Sequence, residues 1–286
     1  MSKIVADQAD GLRRMLARTP TRVLAFASML RGMGVTSVVM NLAAALAQQG
    51  RQVLVLDEHH PARESIDQQW GLAPHGNLAD VLAGRMACEE AAATAACGAS
   101  VLPVMDCAEA FDPQRLQPHQ VVLIDARLDT GGHLSPLART AGEVVVVLRA
   151  DPTAITATYA GIKRLHYAHA LKQLRFVLNG IADEEGAQRI AHNMAQVGSR
   201  YLGVSLESAG CVRRDVRLAG ARRQLQSVVE AFPASAAAED MRRLADDMGQ
   251  WPWRPAQAQR PSSAPGPASY SLRPAGAPPH RRAAVA

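Results

Sequence analysis

Lysine is almost missing from this chain. Only Lys3, Lys163 and Lys172 occur among 286 residues, so any anion site built between positions 4 and 162 must work without a lysine. The four cysteines, Cys88, Cys97, Cys107 and Cys211, include no C-x-x-C pair. That spacing argues against a zinc ribbon or a disulfide framework and fits a reducing compartment. No apolar leader segment stands at the amino end, and no apolar run reaches the roughly 20 residues of a bilayer span. The expected location is cytoplasmic, with at most a peripheral contact at the inner face of the membrane. Acidic residues are absent from 251–286, which hold five of the 31 basic residues. The other 250 residues therefore carry 26 basic and 26 acidic groups, and the formal charge of +5 belongs to the end of the chain.

What is present suits one α/β domain. Hydrophobic residues form 48% and charged residues 20% of the chain, the balance of a globular protein. Short apolar runs at 23–27, 53–56, 101–104, 121–124, 144–148, 176–178 and 201–206 are rich in β-branched residues, with room for a crossover helix between most of them. Their continuous apolarity predicts strands covered on both faces, hence a doubly wound, mostly parallel sheet. A nearly all-apolar helix is expected over 37–49, stopping at Gly50, and a last helix over 236–248. Three regions follow. Residues 1–20 form a short amphipathic helix with Val5, Ala9, Leu12 and Leu16 on one stripe. Residues 21–250 form the α/β domain. Residues 251–286, with eight of the 17 prolines, form a disordered tail.

The first strand runs into a glycine-containing loop, Ser28-Met29-Leu30-Arg31-Gly32-Met33-Gly34-Val35-Thr36-Ser37, and then directly into the buried helix. Strand, glycine loop, threonine and helix form the geometry in which backbone N–H groups and a helix N-terminus face a phosphate. Taken alone the spacing also suits an ordinary βα turn. Further motifs accompany it. Val53–Asp57 ends in an acid, as does Val121–Asp125. Asn77-Leu78, Asp80-Val81-Leu82 and Gly84 precede Glu89-Glu90-Ala91. Asp151-Pro152-Thr153-Ala154-Ile155 leads to Tyr159-Ala160 and Ile162-Lys163. Val229-Glu230-Ala231-Phe232-Pro233 comes near the end.

Together these stretches resemble the deviant Walker A ATPases of the MinD/ParA family, over residues 5–248. The segment Asp7-Gln8-Ala9-Asp10-Gly11-Leu12-Arg13 is similar to the D-Q-A-x-x-L-R helix found ahead of that domain in flagellar number regulators of the FlhG/FleN kind. The resemblance implies ATP and Mg as cofactors. It implies nucleotide contacts from Gly32, Gly34, Val35, Thr36, Ser37, Asp57, Asp125, Asn179 (adenine side) and Asp215, with Mg held near Thr36, Asp57 and Asp125. It also implies a signal-recognition-type GTPase, FlhF, as partner, contacted through Asp7, Gln8, Leu12 and Arg13, alongside other flagellar assembly or regulatory proteins.

Departures from the family pattern are specific. Leu30 and Val35 stand where the family has its two loop lysines, and His59 stands where it has a water-positioning acid in switch I. No catalytic residue is therefore assigned. A charge-assisted hydrogen bond to phosphate is worth about 1.5–3 kcal/mol, and removing one positioned cation slows phosphoryl transfer by about 10³-fold or more. The expectation is a degenerate ATPase: weak or lost ATP binding, little hydrolysis and no ATP-driven homodimer, because the first loop lysine crosses the family's dimer interface. The rival reading is a working ATPase with an unconventional loop. A third reading, a ParA-like positioning protein, draws on the cluster Arg213, Arg214, Arg217, Arg222 and Arg223, but the neutral body weighs against nucleic acid.

Overall fold

The computed structural model describes residues 21–62, 64–105, 116, 118–252 and 254. The expected amino-terminal helix, with Asp7, Gln8, Leu12 and Arg13, lies outside the described residues, as do Cys107, Trp253 and residues 255–286.

In chain order the elements are β1 (Arg22–Ala27), α1 (Val35–Gln48), β2 (Val53–Asp57), α2 (Ile66–Trp70), α3 (Leu78–Leu82), α4 (Cys88–Ala91), β3 (Ala93–Thr94), β4 (Ser100–Pro103), β5 (Val121–Asp125), β6 (Glu143–Arg149), α5 (Pro152–His169), β7 (Gln173–Ile181), α6 (Glu184–Val197), β8 (Ser205–Arg213), α7 (Arg217–Arg223), α8 (Val228–Ala231) and α9 (Ala236–Gln250). The eight strands form one sheet in the order β3-β4-β2-β5-β1-β6-β7-β8. Only β3 runs antiparallel to its neighbour. The expected doubly wound parallel sheet is what forms.

Alternation along β1 explains why the strand must be apolar throughout. Leu24 and Phe26 enter the core under α1 and α9, while Val23, Ala25 and Ala27 enter the core on the opposite side. A polar residue at either set of positions would be buried without a partner. Helix α1 is equally committed, with residues from Val35 to Leu46 buried on nearly every side. Asn41 is its one buried polar group. Its Nδ2 donates to the Ser37 carbonyl (2.7 Å) and its Oδ1 accepts the Val228 amide (2.6 Å), which pins α8 to α1. Asn77 caps α3 in a reciprocal capping box with Asp80.

The structure corrects two expectations. Residues 201–206 do not form one strand: Gly198–Leu202 is a wide helical turn continuing α6, Gly203 (φ +63°) reverses the chain, and β8 begins at Ser205. The strand is longer and more polar than the apolar run suggested because it is the sheet's edge. The boundary drawn after residue 250 also moves, since Trp251, Pro252 and Arg254 still touch the body.

That contact is an ionic clamp at the amino-terminal end of the strands. Glu143, buried on β6, accepts from Arg22 Nη2 (2.5 Å) and Arg175 Nε (2.8 Å). Arg22 Nη1 donates to the Met248 carbonyl (2.8 Å), and the Arg175 guanidinium lies 4.3 Å from the centre of the Trp251 ring. Trp251 is thus seated on the protein's own cations. Glu143→Gln keeps the shape but removes the charge that both arginines share, and should lower the unfolding free energy by about 1.5–3 kcal/mol. Denaturant titration would measure it, and an unchanged midpoint would contradict this role for the clamp.

Candidate nucleotide site

The loop after β1 folds as its glycines require. Gly32 (φ +76°) and Gly34 (φ +87°) both occupy the left-handed region. The Gly34 carbonyl accepts the Val38 amide (2.9 Å) to begin α1, and Ser28 Oγ donates to the Leu30 carbonyl (2.8 Å). At Gly34 a Cβ would collide with Asn179 Nδ2. That amide donates to the Met33 carbonyl (2.8 Å), so Asn179 at the end of β7 ties down the loop from the neighbouring wall. Met29 packs so closely on α5 that Gly161 there has no room for a Cβ. Val35 is buried in the core beside α1 with 9% exposure, whereas Arg31, the loop's one cation, is exposed.

Behind the loop, Asp57 and Asp125 end β2 and β5 side by side in register, both fully buried. Their surroundings differ. Asp57 Oδ1 accepts the His59 amide (2.8 Å) and Oδ2 accepts the Ile66 amide (2.6 Å), so its carboxylate staples the 58–65 loop. Burial pushes its carboxyl above the usual carboxylate range, and those two amides offset part of the rise. Neither oxygen of Asp125 has a hydrogen-bond partner of ordinary geometry. Burial pushes it well above the usual range, the neighbouring Asp57 charge adds to the rise, and the Thr36 hydroxyl opposes it. His59 Nε2 lies 3.6 Å from Asp125 Oδ1, and burial holds that imidazole towards its neutral form. Glu58 turns away, accepting from Ser135 Oγ (2.5 Å) and the Arg127 amide (2.8 Å).

A cation implied by the resemblance can be tested against these groups. The orphaned, buried carboxylate of Asp125 beside Thr36 fits a hydrated Mg ion. Asp57 already has a donor on each oxygen. A polyphosphate finds backbone amides at the two glycine kinks but no lysine.

The remaining expected residues line a separate cavity of about 730 Å³ at the carboxyl ends of β6, β7 and β8. Gly34, Ser37, Asn179 and Asp215 all contribute to it, so Thr36 faces one half of the site and Ser37 the other. Asp215 is not a free group: its Oδ1 accepts the Arg217 amide (2.8 Å) and its Oδ2 accepts the Ala237 amide (3.1 Å). Burial raises its carboxyl, and these amides outweigh that, leaving it below the usual range. Arg149 and Arg214 also line the cavity, and neither makes an ion pair among the described residues. Sequence reading missed Arg149 as a site residue. Its signal was a cation ending an apolar parallel strand, at the sheet end where ligands of such folds bind. Arg213, by contrast, leaves the supposed basic surface: it is forked onto buried Asp240 (Nη2 to Oδ1, 2.8 Å) and also reaches Glu239.

No family model matches the chain. The antiactivator FleN of Pseudomonas aeruginosa is 28% identical over 257 residues, covering 84% of this chain and 91% of FleN. The chain is thus similar in sequence to FleN and has the fold of the MinD/ParA proteins. Solved structures agree on the fold. The MinD cell division protein of Aquifex aeolicus superposes with a TM-score of 0.63 at 19% identity, covering 83% of this chain and 100% of that one. MinD of Pyrococcus horikoshii, solved with Mg-ADP, gives 0.59 at 20% identity, covering 80% of this chain and 96% of that one. The loop of this chain has two left-handed glycines and no lysine.

Asp125 makes the FleN-like site costly when no cation neutralises it. A buried carboxyl whose folded pKa is raised destabilises the fold above that pKa, and stability rises as pH falls from neutrality towards the unfolded value. Asp125→Asn should therefore stabilise the protein by about 1–3 kcal/mol at neutral pH. It should also flatten the gain on acidification. Thermal melts between pH 5 and 8 would test this; a variant less stable than the parent would contradict it.

Proposed function

We propose that this chain is a regulator of flagellar biosynthesis and number that acts by binding partners, with ATP turnover weak or lost. Similarity to FleN, itself named an antiactivator, supports the regulatory part. One observation carries the rest: a well-formed phosphate cradle, with Gly32 and Gly34 in left-handed conformation, has Leu30 and a buried Val35 at the positions of its two cations. In this reading Thr36 and Asp125 hold Mg weakly. Gly32, Gly34 and the amides of Val35, Thr36 and Ser37 hold phosphate by backbone alone. Arg149 and Arg214 supply what charge the cavity has. The partner is an FlhF-type GTPase, met by the segment before Thr21.

The fold supports independence of the two activities. Thr21 and Arg22 open β1 at the end opposite the phosphate loop, and the strand's six residues separate them by about 20 Å. Loss of loop charge therefore need not disturb a partner at the amino end.

Titration with a labelled ATP analogue and Mg, followed by steady-state turnover, tests the nucleotide half. Binding weaker than that of lysine-bearing relatives by about tenfold or more is expected, with no appreciable hydrolysis. Turnover at their rate, abolished by Thr36→Ala, would sink the proposal. Light scattering should report one mass with and without ATP; a doubling would contradict the reading of Leu30.

A further inference from the structure

His59 and Asp125 face each other at the start of the 58–65 loop without bonding. His59 Nε2 lies 3.6 Å from Asp125 Oδ1, too long for a hydrogen bond. Asp125 is fully buried, and among the described residues neither of its oxygens has a hydrogen-bond partner of ordinary geometry. A carboxylate taken out of water and left unsatisfied in this way favours a bound cation. The His59 side chain keeps 32% exposure, so an ion can enter from that side.

The donors and their spacing narrow the kind of cation. Two metal–ligand bonds of about 2.0–2.1 Å at a tetrahedral angle hold their donor atoms about 3.3 Å apart, so a shift of about 0.3 Å closes His59 and Asp125 on one ion. Imidazole nitrogen suits zinc, cobalt and nickel, whereas Mg takes a shell of oxygens. Around the ring the charges of Asp57 and Glu64 act against that of Arg127, which is exposed. Asp57 commits both oxygens to the His59 and Ile66 amides and so contributes charge rather than a bond. Among the described residues no three His, Cys, Asp or Glu side chains form a closed metal cage. The ligands are therefore two protein side chains, the Thr36 hydroxyl beside Asp125, and water.

We propose that His59 Nε2 and the Asp125 carboxylate hold a divalent transition metal ion of the zinc, cobalt or nickel kind, with the Thr36 hydroxyl and water completing its shell, and that the site selects this ion over Mg. Binding needs no nucleotide, so the proposal stands apart from the reading of ATP turnover above. Its consequence is positional. The His59 amide is already held by Asp57 Oδ1, so an ion on the ring fixes the start of the 58–65 loop to the ends of both β2 and β5. Glu58, one residue earlier, accepts from Ser135 Oγ and the Arg127 amide, which ties the chain after β5 to the same point.

The full chain, free of nucleotide and Mg, should bind one cobalt(II) ion about tenfold or more tighter than Mg, read by visible absorption and calorimetry. His59→Gln and Asp125→Asn should each weaken cobalt binding by about tenfold or more. His60→Gln should not, because that ring is turned to Asp67 (Nδ1 to Oδ2, 3.1 Å). His59→Asp makes the donors all oxygen and should narrow the preference for cobalt over Mg by about tenfold. Thermal melts without metal establish that each variant is folded. Cobalt bound no tighter than Mg by the parent overturns the proposal. So does cobalt binding unmoved by His59→Gln or Asp125→Asn, which places the ion on other side chains. Either result leaves the proposed weakness of ATP turnover untouched, since that is measured with Mg.

Discussion

Restoring both loop lysines, Leu30→Lys with Val35→Lys, should strengthen ATP binding by about two to four orders of magnitude. Each lysine adds one charge-assisted bond of about 1.5–3 kcal/mol, and each 1.4 kcal/mol is about tenfold in affinity. The gain presumes that the backbone cradle is intact, as the left-handed Gly32 and Gly34 and the Asn179 tie to Met33 indicate. Val35→Lys gives up a buried methyl pair, but a lysine stem can lie along the same apolar wall and carry its charge outward. Hydrolysis should stay slow in the double variant, because His59 remains where the family positions water, and should respond only when His59→Asp is added. Calorimetry with Mg-ATP measures the affinity. No gain would mean that the loop cannot admit a phosphate at all.

The loop was legible in the sequence because it is local: strand, glycines, threonine and helix are consecutive, and the want of a lysine is visible by inspection. The two acids at strand ends were legible for the same reason. Their unlike states were not. Asp57 is satisfied by two amides of a loop that follows it, whereas neither oxygen of Asp125 finds a hydrogen-bond partner among the described residues. The Glu143 clamp was hidden too, since Arg22, Glu143, Arg175 and Trp251 meet only once the sheet order is known. Strand β8 escaped because edge strands alternate polar and apolar residues, and Gly203 to Arg213 carries little continuous apolarity. Asn179 could be weighed as a base contact or a turn cap; its observed bond goes to the phosphate loop instead.

The second large effect lies outside the ATP site. A peptide of residues 1–20 should stimulate the cognate FlhF-type GTPase. Gln8 and Arg13 would complete its hydrolytic site and Leu12 would anchor the segment. Groups that stabilise a phosphoryl-transfer transition state in trans are worth about 10³–10⁵ in rate, so Gln8→Ala with Arg13→Ala should return the GTPase to its basal rate. The same change in the full chain should leave the thermal stability of residues 21–254 unaltered.

GTP turnover by that GTPase, measured with the full chain in the presence and absence of Mg-ATP, joins both halves of the proposal in one experiment. Stimulation that is equal with and without ATP, unchanged by Thr36→Ala and lost in the Gln8→Ala/Arg13→Ala variant is the predicted result. Stimulation that requires ATP, or that survives the double substitution, would contradict it.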